Sequence, residues 1–299
     1  MTKFKLEWVI VNEQAGMMVR EFLKLKRISK RALTDIKYFG GDIKINGKSI
    51  TVRYNLKKGD LLSVYFPTER PSASILPEEL PLKIVYEDDH CLVINKDPFI
   101  PTIPSREHPS GTIANGLLAY FQKQNLASTI HVVTRLDKDT SGLLLVAKHR
   151  FAHSLFSTEQ KQRNINRTYL AITEGIFPKI SGTIDAPIGR KDTSIIEREV
   201  RREGQKAVTH YQVMRQFGDK SLLCLKLETG RTHQIRVHCA HLGHPLCGDT
   251  LYGGKRDEIN RQALHSSELT FWHPILEKQL SFKAELPADM EALVNQTGE

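Results

Sequence analysis

The stretch TRLDKDTSG, residues 134–142, lies directly in front of the apolar run LLLVAK, residues 143–148. A short apolar run bounded by turn-forming residues is typical of a buried strand. The chain therefore places two carboxylates, Asp137 and Asp139, at the point where it enters its own core. Because a desolvated carboxylate is costly unless a cation pairs with it, we expect a partner from another segment.

The two carboxylates are expected to differ in role. Asp139 begins the sequence Asp-Thr-Ser-Gly, whose residues favour a turn held by side-chain hydrogen bonds. Asp137 precedes that turn and is the better candidate for a reactive group. The order Asp-Thr-Ser-Gly does not indicate an aspartic protease, because such enzymes share a proton between two Asp-Thr-Gly loops and no second copy is present.

A second polar segment, GRTHQIRVH at residues 230–238, supplies cations. Its Thr232 is a suitable N-cap for a helix over the following residues. Arg231 and His233 would then crowd the helix N-terminus, where positive charge opposes the helix dipole. This arrangement favours an anion close by, either Asp137, a phosphate or both.

Three histidines near this segment do not have the spacing of a metal site. His238, His241 and His244 follow one another at intervals of three residues, whereas zinc-binding helices present their ligands at positions i and i+4. Gly243 and Pro245 are also expected to end the helix before or at the third histidine. The sequence therefore predicts no metal site.

The composition is that of a soluble globular protein, with 40% hydrophobic and 26% charged residues. The length of 299 residues favours two domains. The first residues lack the apolar run of a signal peptide, and no stretch approaches the ~20 apolar residues that span a bilayer. We expect a cytoplasmic protein that does not contact membranes. Four cysteines without a C-x-x-C pair are expected to be free thiols: Cys91, Cys224, Cys239 and Cys247.

Residues 1–66 carry almost all of the net positive charge. They contain 14 lysines and arginines against six acidic residues, a net charge of +8 in a chain whose total is +9. Such a concentration favours a polyanionic partner, above all nucleic acid, although a well-solvated basic surface has the same composition. Residues 67–81 hold four of the 13 prolines and are predicted to be a linker, which leaves residues 82–299 as the second domain.

Local signals predict a small α+β unit in residues 1–66. Apolar residues around 19–23 recur at helical spacing, and Ser29 can cap a second helix that ends at Gly40-Gly41. The pair Asn46-Gly47 is typical of a two-residue hairpin. The two helices carry six cations that are expected to contact phosphates: Lys24, Lys26, Arg27, Lys30, Arg31 and Lys37.

After the linker, predicted strands and helices do not follow a strict βαβ rhythm. This favours an α+β fold with a mixed, mainly antiparallel sheet over a doubly wound one. The apolar runs predict helices near 113–121 and 151–159, and strands at 84–86, 91–94, 143–148, 168–174, 207–215 and 222–227.

Taken together, the polar segments resemble the RluA-like family of RNA pseudouridine synthases. The strongest matches, in the family's order, are RLDKDTSG at 135–142, RTYLA at 167–171 and ETGRTHQIRVH at 228–238. With weaker matches, the resemblance covers about residues 83–274. The chain departs from the family pattern at Thr134, where the family usually has histidine, and after Asn95-Lys96, where it often continues Pro-Ala-Gly.

The basic N-terminal unit is similar to the S4 RNA-binding domain. The similarity rests on its helix pair, on the hairpin GDIKING at 41–47 and on KKGD at 57–60. It implies a domain that holds RNA, with the pseudouridine synthase-like catalytic domain following it.

The resemblance implies an isomerase that converts uridine to pseudouridine within RNA and needs no cofactor. Asp137 is then the nucleophile, or the anion that stabilises positive charge developing at the sugar. Arg231 pairs with Asp137, and Tyr169 stacks on the uracil and assists removal of the proton from C5. A tyrosine in a strand is otherwise most often a packed core residue.

The same resemblance implies an RNA partner, with ribosomal RNA favoured over tRNA. Independently of the resemblance, we expect a monomer. Arg135, His233 and Arg236 are expected to contact the RNA. Two other classes stay open on the sequence: a non-catalytic RNA-binding protein on this scaffold, and a glycosyl hydrolase that uses Asp137 and Asp139 as a carboxylate pair.

Overall fold

A computed structural model describes residues 4–69, 71 and 75–295. Part of the predicted linker, residues 70 and 72–74, lies outside the described residues. The remaining linker residues include Glu69, which accepts hydrogen bonds from the His131 ring and from the backbone N–H of Arg150. The start of the linker is therefore attached to the segment that follows it.

The N-terminal segment forms a four-stranded antiparallel sheet of its own, together with two helices. The strand order is β1-β4-β2-β3. The strands are β1 Lys5–Val9, β2 Asp42–Ile45, β3 Lys48–Ser49 and β4 Leu61–Tyr65, and the helices are α1 Val19–Leu25 and α2 Lys30–Tyr38.

The turn and cap signals of this segment act as predicted. The side chain of Ser29 accepts a hydrogen bond from the backbone N–H of Ala32 at 3.1 Å and begins α2. Asn46 and Gly47 have φ values of 49° and 83°, the left-handed pair that a two-residue hairpin requires. These short-range interactions place α1 and α2 on the sheet.

The rest of the chain forms a mixed sheet of ten strands in the order β10-β13-β14-β9-β15-β8-β6-β5, with β16 on β15 and β7 on β8. Its described pairings are antiparallel except that of β8 with β15, so the predicted α+β class with a mixed, mainly antiparallel sheet is correct. The strands are β5 Ile84–Glu87, β6 Cys91–Lys96, β7 His131–Val132, β8 Ser141–Ala147, β9 Ile165–Glu174, β10 Ser181–Asp185, β13 Val208–Phe217, β14 Lys220–Leu227, β15 Leu264–His273 and β16 Lys278–Lys283.

The remaining elements lie outside this sheet. A separate two-stranded hairpin consists of β11 Ile188–Arg190 and β12 Arg198–Val200. The helices are α3 Ile113–Lys123, α4 Arg150–Lys161, α5 Gln234–His241 and α6 Ala288–Asn295. Within the described ranges, none of the helices combines the length and apolar character that a membrane crossing requires.

Strand β8 is apolar throughout because helices cover both faces of the sheet. Its Leu144 and Val146 belong to the core that includes α3, and its Leu143 and Leu145 belong to the core that includes α4. A strand buried on both faces reads as a continuous apolar run. The polar loop in front of β8 therefore lies at the end of the most buried strand in this part of the fold.

Helix α4 also forms the contact between the two sheets. Its Phe151 and Leu155 are buried in the core of the N-terminal segment. Next to them, the ring of Phe4 stacks on that of His149 with centroids 3.6 Å apart. The N-terminal segment is thus packed on the rest of the chain through apolar side chains.

Candidate active site

The loop between β7 and β8 holds Asp137 on a rigid backbone. The backbone N–H of Thr140 donates to the carbonyl oxygen of Asp137 at 3.1 Å and closes the turn. The neighbouring carbonyl oxygens of Leu136, Lys138 and Asp139 accept hydrogen bonds from Thr102 Oγ1, Lys96 Nζ and Arg261 Nη1, at 2.7, 2.8 and 3.2 Å. The backbone that carries the Asp137 side chain is therefore held by hydrogen bonds from several surrounding residues.

Two residues of this loop have structural roles that decide its position. Gly142 has a φ of 108°, and a Cβ there would lie 2.3 Å from the carbonyl oxygen of Ser266, so only glycine allows β8 to approach β15. Thr134, the departure from the family's histidine, is buried and accepts a hydrogen bond from the backbone N–H of Leu145 at 2.8 Å. Both residues hold the loop against β8.

The carboxylate of Asp137 faces two basic side chains of α5 and its N-cap. Its Oδ2 lies 3.4 Å from Nη1 of Arg236 and 3.9 Å from Nε2 of His233. The Asp137 side chain is 30% exposed, whereas the side chains of Arg236 and His233 are 8% and 12% exposed. The carboxylate is thus accessible on one side and held by a buried guanidinium on the other, which keeps its direction fixed.

Arg236 is oriented by a second, fully buried carboxylate. Its Nε and Nη2 each donate to Asp249 at 2.7 Å, and the exposed fraction of the Asp249 side chain is 0%. Burial by itself lowers the pKa of Arg236, but the hydrogen bonds and the charge of Asp249 outweigh it and raise that pKa. The guanidinium therefore stays charged inside the protein with one nitrogen directed at Asp137.

The predicted ion pair between Arg231 and Asp137 is replaced by this pair between Arg236 and Asp137. The Nε of Arg231 donates instead to the carbonyl oxygen of Lys206 at 3.0 Å. The helix also begins later than predicted: its N-cap is His233, not Thr232, and His233 has a φ of 58°. This start rotates Arg236 towards Asp137 and leaves Arg231 in the loop that lines the cleft.

A cleft of about 540 Å³ brings together six of the twelve predicted site residues, among them all three predicted catalytic residues. Tyr169 on β9 lines it and is also part of the hydrophobic core, with 4% of its surface exposed. Leu136 and Ile235 add apolar walls, and the cleft further contains Arg135, Asp137, Arg231, His233 and Arg236. The cleft thus combines the carboxylate of Asp137 with an aromatic ring and apolar side chains.

The six predicted cations of α1 and α2 are not equivalent. Lys24, Lys30, Arg31 and Lys37 are exposed and Lys26 is half-buried. Arg27 is engaged elsewhere, because its Nη2 donates at 2.9 Å to Oε1 of Glu159, a buried residue of α4. Arg27, in the turn that follows α1, therefore joins the N-terminal segment to α4, which the sequence did not indicate.

Lys96 is a residue of the site that the sequence analysis did not assign. It is 1% exposed, and its Nζ donates to the carbonyl oxygens of Asp97, Ile100 and Lys138 at 2.8, 2.9 and 2.8 Å. Burial lowers the pKa of Lys96 to about 7, against the opposing charges of Asp139 and Asp137. Its position at the end of the apolar strand β6 was the available signal.

Comparison with known proteins agrees with this geometry. Residues 90–241 match the family model described as RNA pseudouridylate synthase. The chain is 57% identical, over 93% of its own length and 98% of the relative's, to the uncharacterized RNA pseudouridine synthase YjbO of Bacillus subtilis. It is 38% identical to the ribosomal large subunit pseudouridine synthase D of Xanthomonas campestris pv. campestris, over 85% of this chain and 81% of that protein.

Among solved structures, human RNA pseudouridylate synthase domain containing 1 is similar with a TM-score of 0.58 and 27% identity, over 77% of this chain and 99% of that chain. The match to the family model and the extent of the identity to these relatives therefore show that the chain belongs to the RNA pseudouridine synthase family of isomerases.

Proposed function

We propose that the protein isomerises specific uridines in structured RNA to pseudouridine, with large-subunit ribosomal RNA as its substrate and Asp137 as the reactive carboxylate. The observation that carries this proposal is the position of Asp137: one face is open to the cleft and the other is 3.4 Å from the buried Arg236. The substrate class is supported by similarity to proteins named ribosomal large subunit pseudouridine synthase D.

In the proposed reaction the N1–C1′ bond of the target uridine breaks, the uracil turns, and C5 bonds to C1′. The proton lost from C5 is replaced by one gained at N1, so no oxidant, reductant or cofactor is consumed. Asp137 either attacks C1′, in a bond that breaks again when C5 bonds to C1′, or takes the C2′ proton as the N1–C1′ bond breaks and returns it to C2′ when C5 adds to the resulting glycal. Arg236 keeps the carboxylate ionised and aimed, the role that the sequence assigned to Arg231.

The uracil has to leave its stack to reach an atom of the protein. The cleft supports such a base because Tyr169 and the apolar side chains around it provide a stacking surface for a neutral ring. Tyr169 then also assists proton removal from C5. Arg135, exposed at the entrance of the cleft, contacts the RNA and occupies the space that the extruded nucleotide leaves.

The N-terminal unit of residues 1–66 is proposed to act as an S4-like RNA-binding domain joined through residues 67–81 to the catalytic domain 82–299. We leave Arg27 out of its RNA surface because that guanidinium pairs with Glu159. The proposed phosphate contacts are made by Lys24, Lys26, Lys30, Arg31 and Lys37, with Arg231 inside the cleft. We further propose that the protein acts as a cytoplasmic monomer.

The chemistry is tested with Asp137→Asn, which keeps the shape of the side chain and removes its charge. The variant and the wild type are introduced into cells that lack the gene, and pseudouridines are mapped in total RNA. We expect the wild type to restore defined positions and the variant to restore none. Restoration by the variant would support a non-catalytic RNA-binding protein, and release of free uracil from purified RNA would identify a hydrolase.

A further inference from the structure

The side chain of Tyr252 lies behind both basic groups that face Asp137. Its hydroxyl oxygen is 2.8 Å from Nδ1 of His233, and its ring lies 5.0 Å from the guanidinium carbon of Arg236. The backbone N–H of Arg198 donates to the same hydroxyl at 3.0 Å. One phenol thus contacts His233, Arg236 and the hairpin strand β12 at once.

The hydrogen bonds around this hydroxyl determine where the proton of His233 lies. The backbone N–H of Arg198 can only donate, so it uses a lone pair of the phenol oxygen. The phenol proton is then available to Nδ1, which accepts it and leaves the ring proton on Nε2. The opposite tautomer would direct the bare lone pair of Nε2 at the carboxylate of Asp137, 3.9 Å away, which is repulsive.

We propose that Tyr252 is a positioning residue that holds His233 as the neutral Nε2–H tautomer, so that this imidazole presents an N–H to Asp137 beside Arg236. The inference rests on the proposed role of Asp137 and adds a second group directed at that carboxylate. A neutral N–H orients the anion and supports its charge without neutralising it. The carboxylate therefore stays available to the sugar.

The charges around His233 are consistent with a neutral ring. Burial is the largest influence and lowers the pKa of His233, and the positive charges of Arg236 and Arg198 lower it further. The carboxylates of Asp137 and Asp249 act in the opposite direction. A hydrogen bond from Tyr252 to Nδ1 also stabilises the neutral imidazole, because Nδ1 can accept it only while it is unprotonated.

The test compares Tyr252→Phe with the wild type by ¹⁵N-edited NMR of the histidine rings, with His233→Gln to assign the signal. The phenylalanine keeps a ring over Arg236 and removes the hydroxyl. We expect a single Nε2–H tautomer in the wild type and a tautomer mixture with a raised imidazole pKa in the variant. Because one hydrogen bond is lost, kcat should fall about three- to tenfold with KM unchanged, and the acid limb of its pH profile should move to higher pH.

Tyr211→Phe is the matched control, since it removes a phenol hydroxyl elsewhere on the sheet, on β13. It should leave the His233 spectrum and the pH profile unchanged. A Tyr252→Phe protein with the wild-type tautomer, or with slower turnover but an unshifted pH profile, overturns the proposal. The ring spectrum does not depend on turnover, so an active Asp137→Asn variant would refute the proposed function while the tautomer assignment is still decided by NMR.

Discussion

The guanidinium of Arg236 and the carboxylate of Asp249 form two hydrogen bonds of 2.7 Å in the interior of the protein. This planar pair uses Nε and Nη2 and leaves Nη1 to face Asp137 at 3.4 Å. The direction of the Asp137 carboxylate is therefore set through Arg236 by Asp249, which does not line the cleft. A lysine could not reproduce this arrangement, because its ammonium is a point charge without a planar fork.

Asp249→Asn should slow catalysis although Asp249 does not line the cleft. The amide accepts one of the two hydrogen bonds and directs an NH₂ at the guanidinium, which frees Arg236 to rotate. Since a hydrogen bond between charged groups contributes about 1.5–3 kcal/mol, we expect kcat to fall about 10- to 150-fold. The rate of pseudouridine formation in a single turnover measures this loss. A wild-type rate in a folded variant would show that Asp249 does not orient Arg236.

Arg236→Gln and Arg231→Gln should separate the two arginines of the same segment. Without Arg236 the charge of Asp137 loses its fixed partner, so kcat should drop by about 100-fold or more. Arg231 bonds a backbone carbonyl and lines the cleft, so its loss should raise KM several-fold and leave kcat nearly unchanged. The reverse result would restore Arg231 as the partner of Asp137.

Lys96 should make the stability of the fold depend on pH above neutrality. Burial lowers the pKa of Lys96 to about 7 in the folded protein, whereas in the unfolded chain it has the ordinary value of 10.5. Between these values the unfolded state binds the extra proton, so the free energy of unfolding should rise with pH, by up to about 1.4 kcal/mol per unit. This pH-dependent gain in the free energy of unfolding is complete above about pH 10.5 and is lost as the pH falls through 7.

Urea unfolding of the wild type and Lys96→Met at pH 7, 8 and 9 measures this effect. The variant leaves three carbonyl oxygens without the Nζ donor and should be less stable at every pH, and the difference between the two proteins should widen as the pH rises. A constant difference would mean that Lys96 keeps its proton throughout, held by Asp139 and Asp137.

Much of the fold could be predicted from local patterns, and the elements that could not be predicted have a common cause. The apolar runs identified β6, β8 and β14 because strands that are buried in the sheet consist largely of apolar residues. Strand β15 reads LHSSELTFWH and carries no clear alternation, since its serines bond neighbouring strands, as Ser266 does with the carbonyl oxygen of Leu143. Strand β8 begins at Ser141 because Ser141 and Gly142 pair with His265 and Ser266 of β15. This pairing between distant segments cannot be read from the local sequence.

The site shows a similar limit. The position of Asp137 could be predicted because it is a charge in front of a core strand, whereas the pattern around Tyr169 indicated a core residue and only the resemblance to the family assigned it to the site. The sequence could not decide whether Arg231 or Arg236 is the partner of Asp137. Residues 234–239 at the start of α5 are all buried, so no amphipathic pattern indicates which face of the helix points to the cleft. The true helix start depends on Gln234, whose Oε1 accepts the backbone N–H of Arg231 at 2.9 Å.

Arg27 and Glu159 should show direct energetic coupling between α1 and α4. Glu159 is 3% exposed, and it accepts hydrogen bonds from Arg27 at 2.9 Å and from Asn164 at 2.8 Å. Arg27→Met leaves the buried carboxylate of Glu159 without its charged partner and should lower the free energy of unfolding by about 1–3 kcal/mol, whereas Glu159→Gln leaves the exposed Arg27 to water and should cost less. A double-mutant cycle in urea measures the coupling, and strictly additive losses would mean that the pair is only a surface contact.

RNA affinity should depend on the exposed cations of α2, and point variants test this better than truncation. Deleting residues 1–66 would expose Phe151 and Leu155 of α4, so lost binding could reflect lost folding. Lys30→Gln/Arg31→Gln/Lys37→Gln instead removes three charges from exposed positions. Each substituted cation that binds a phosphate should make the slope of log K against log salt shallower by about one unit, with kcat at saturating RNA unchanged.

The matched control is Lys48→Gln/Lys57→Gln/Lys58→Gln, which removes the same charge from exposed positions outside α1 and α2. If RNA is held on the helices, the control should keep more of the wild-type slope than the α2 variant does, because short-range phosphate contacts, unlike net charge, depend on position. Equal reductions in both variants would mean that the N-terminal unit attracts RNA by its overall charge of +8 alone. Unchanged slopes in both would remove this unit from RNA binding altogether.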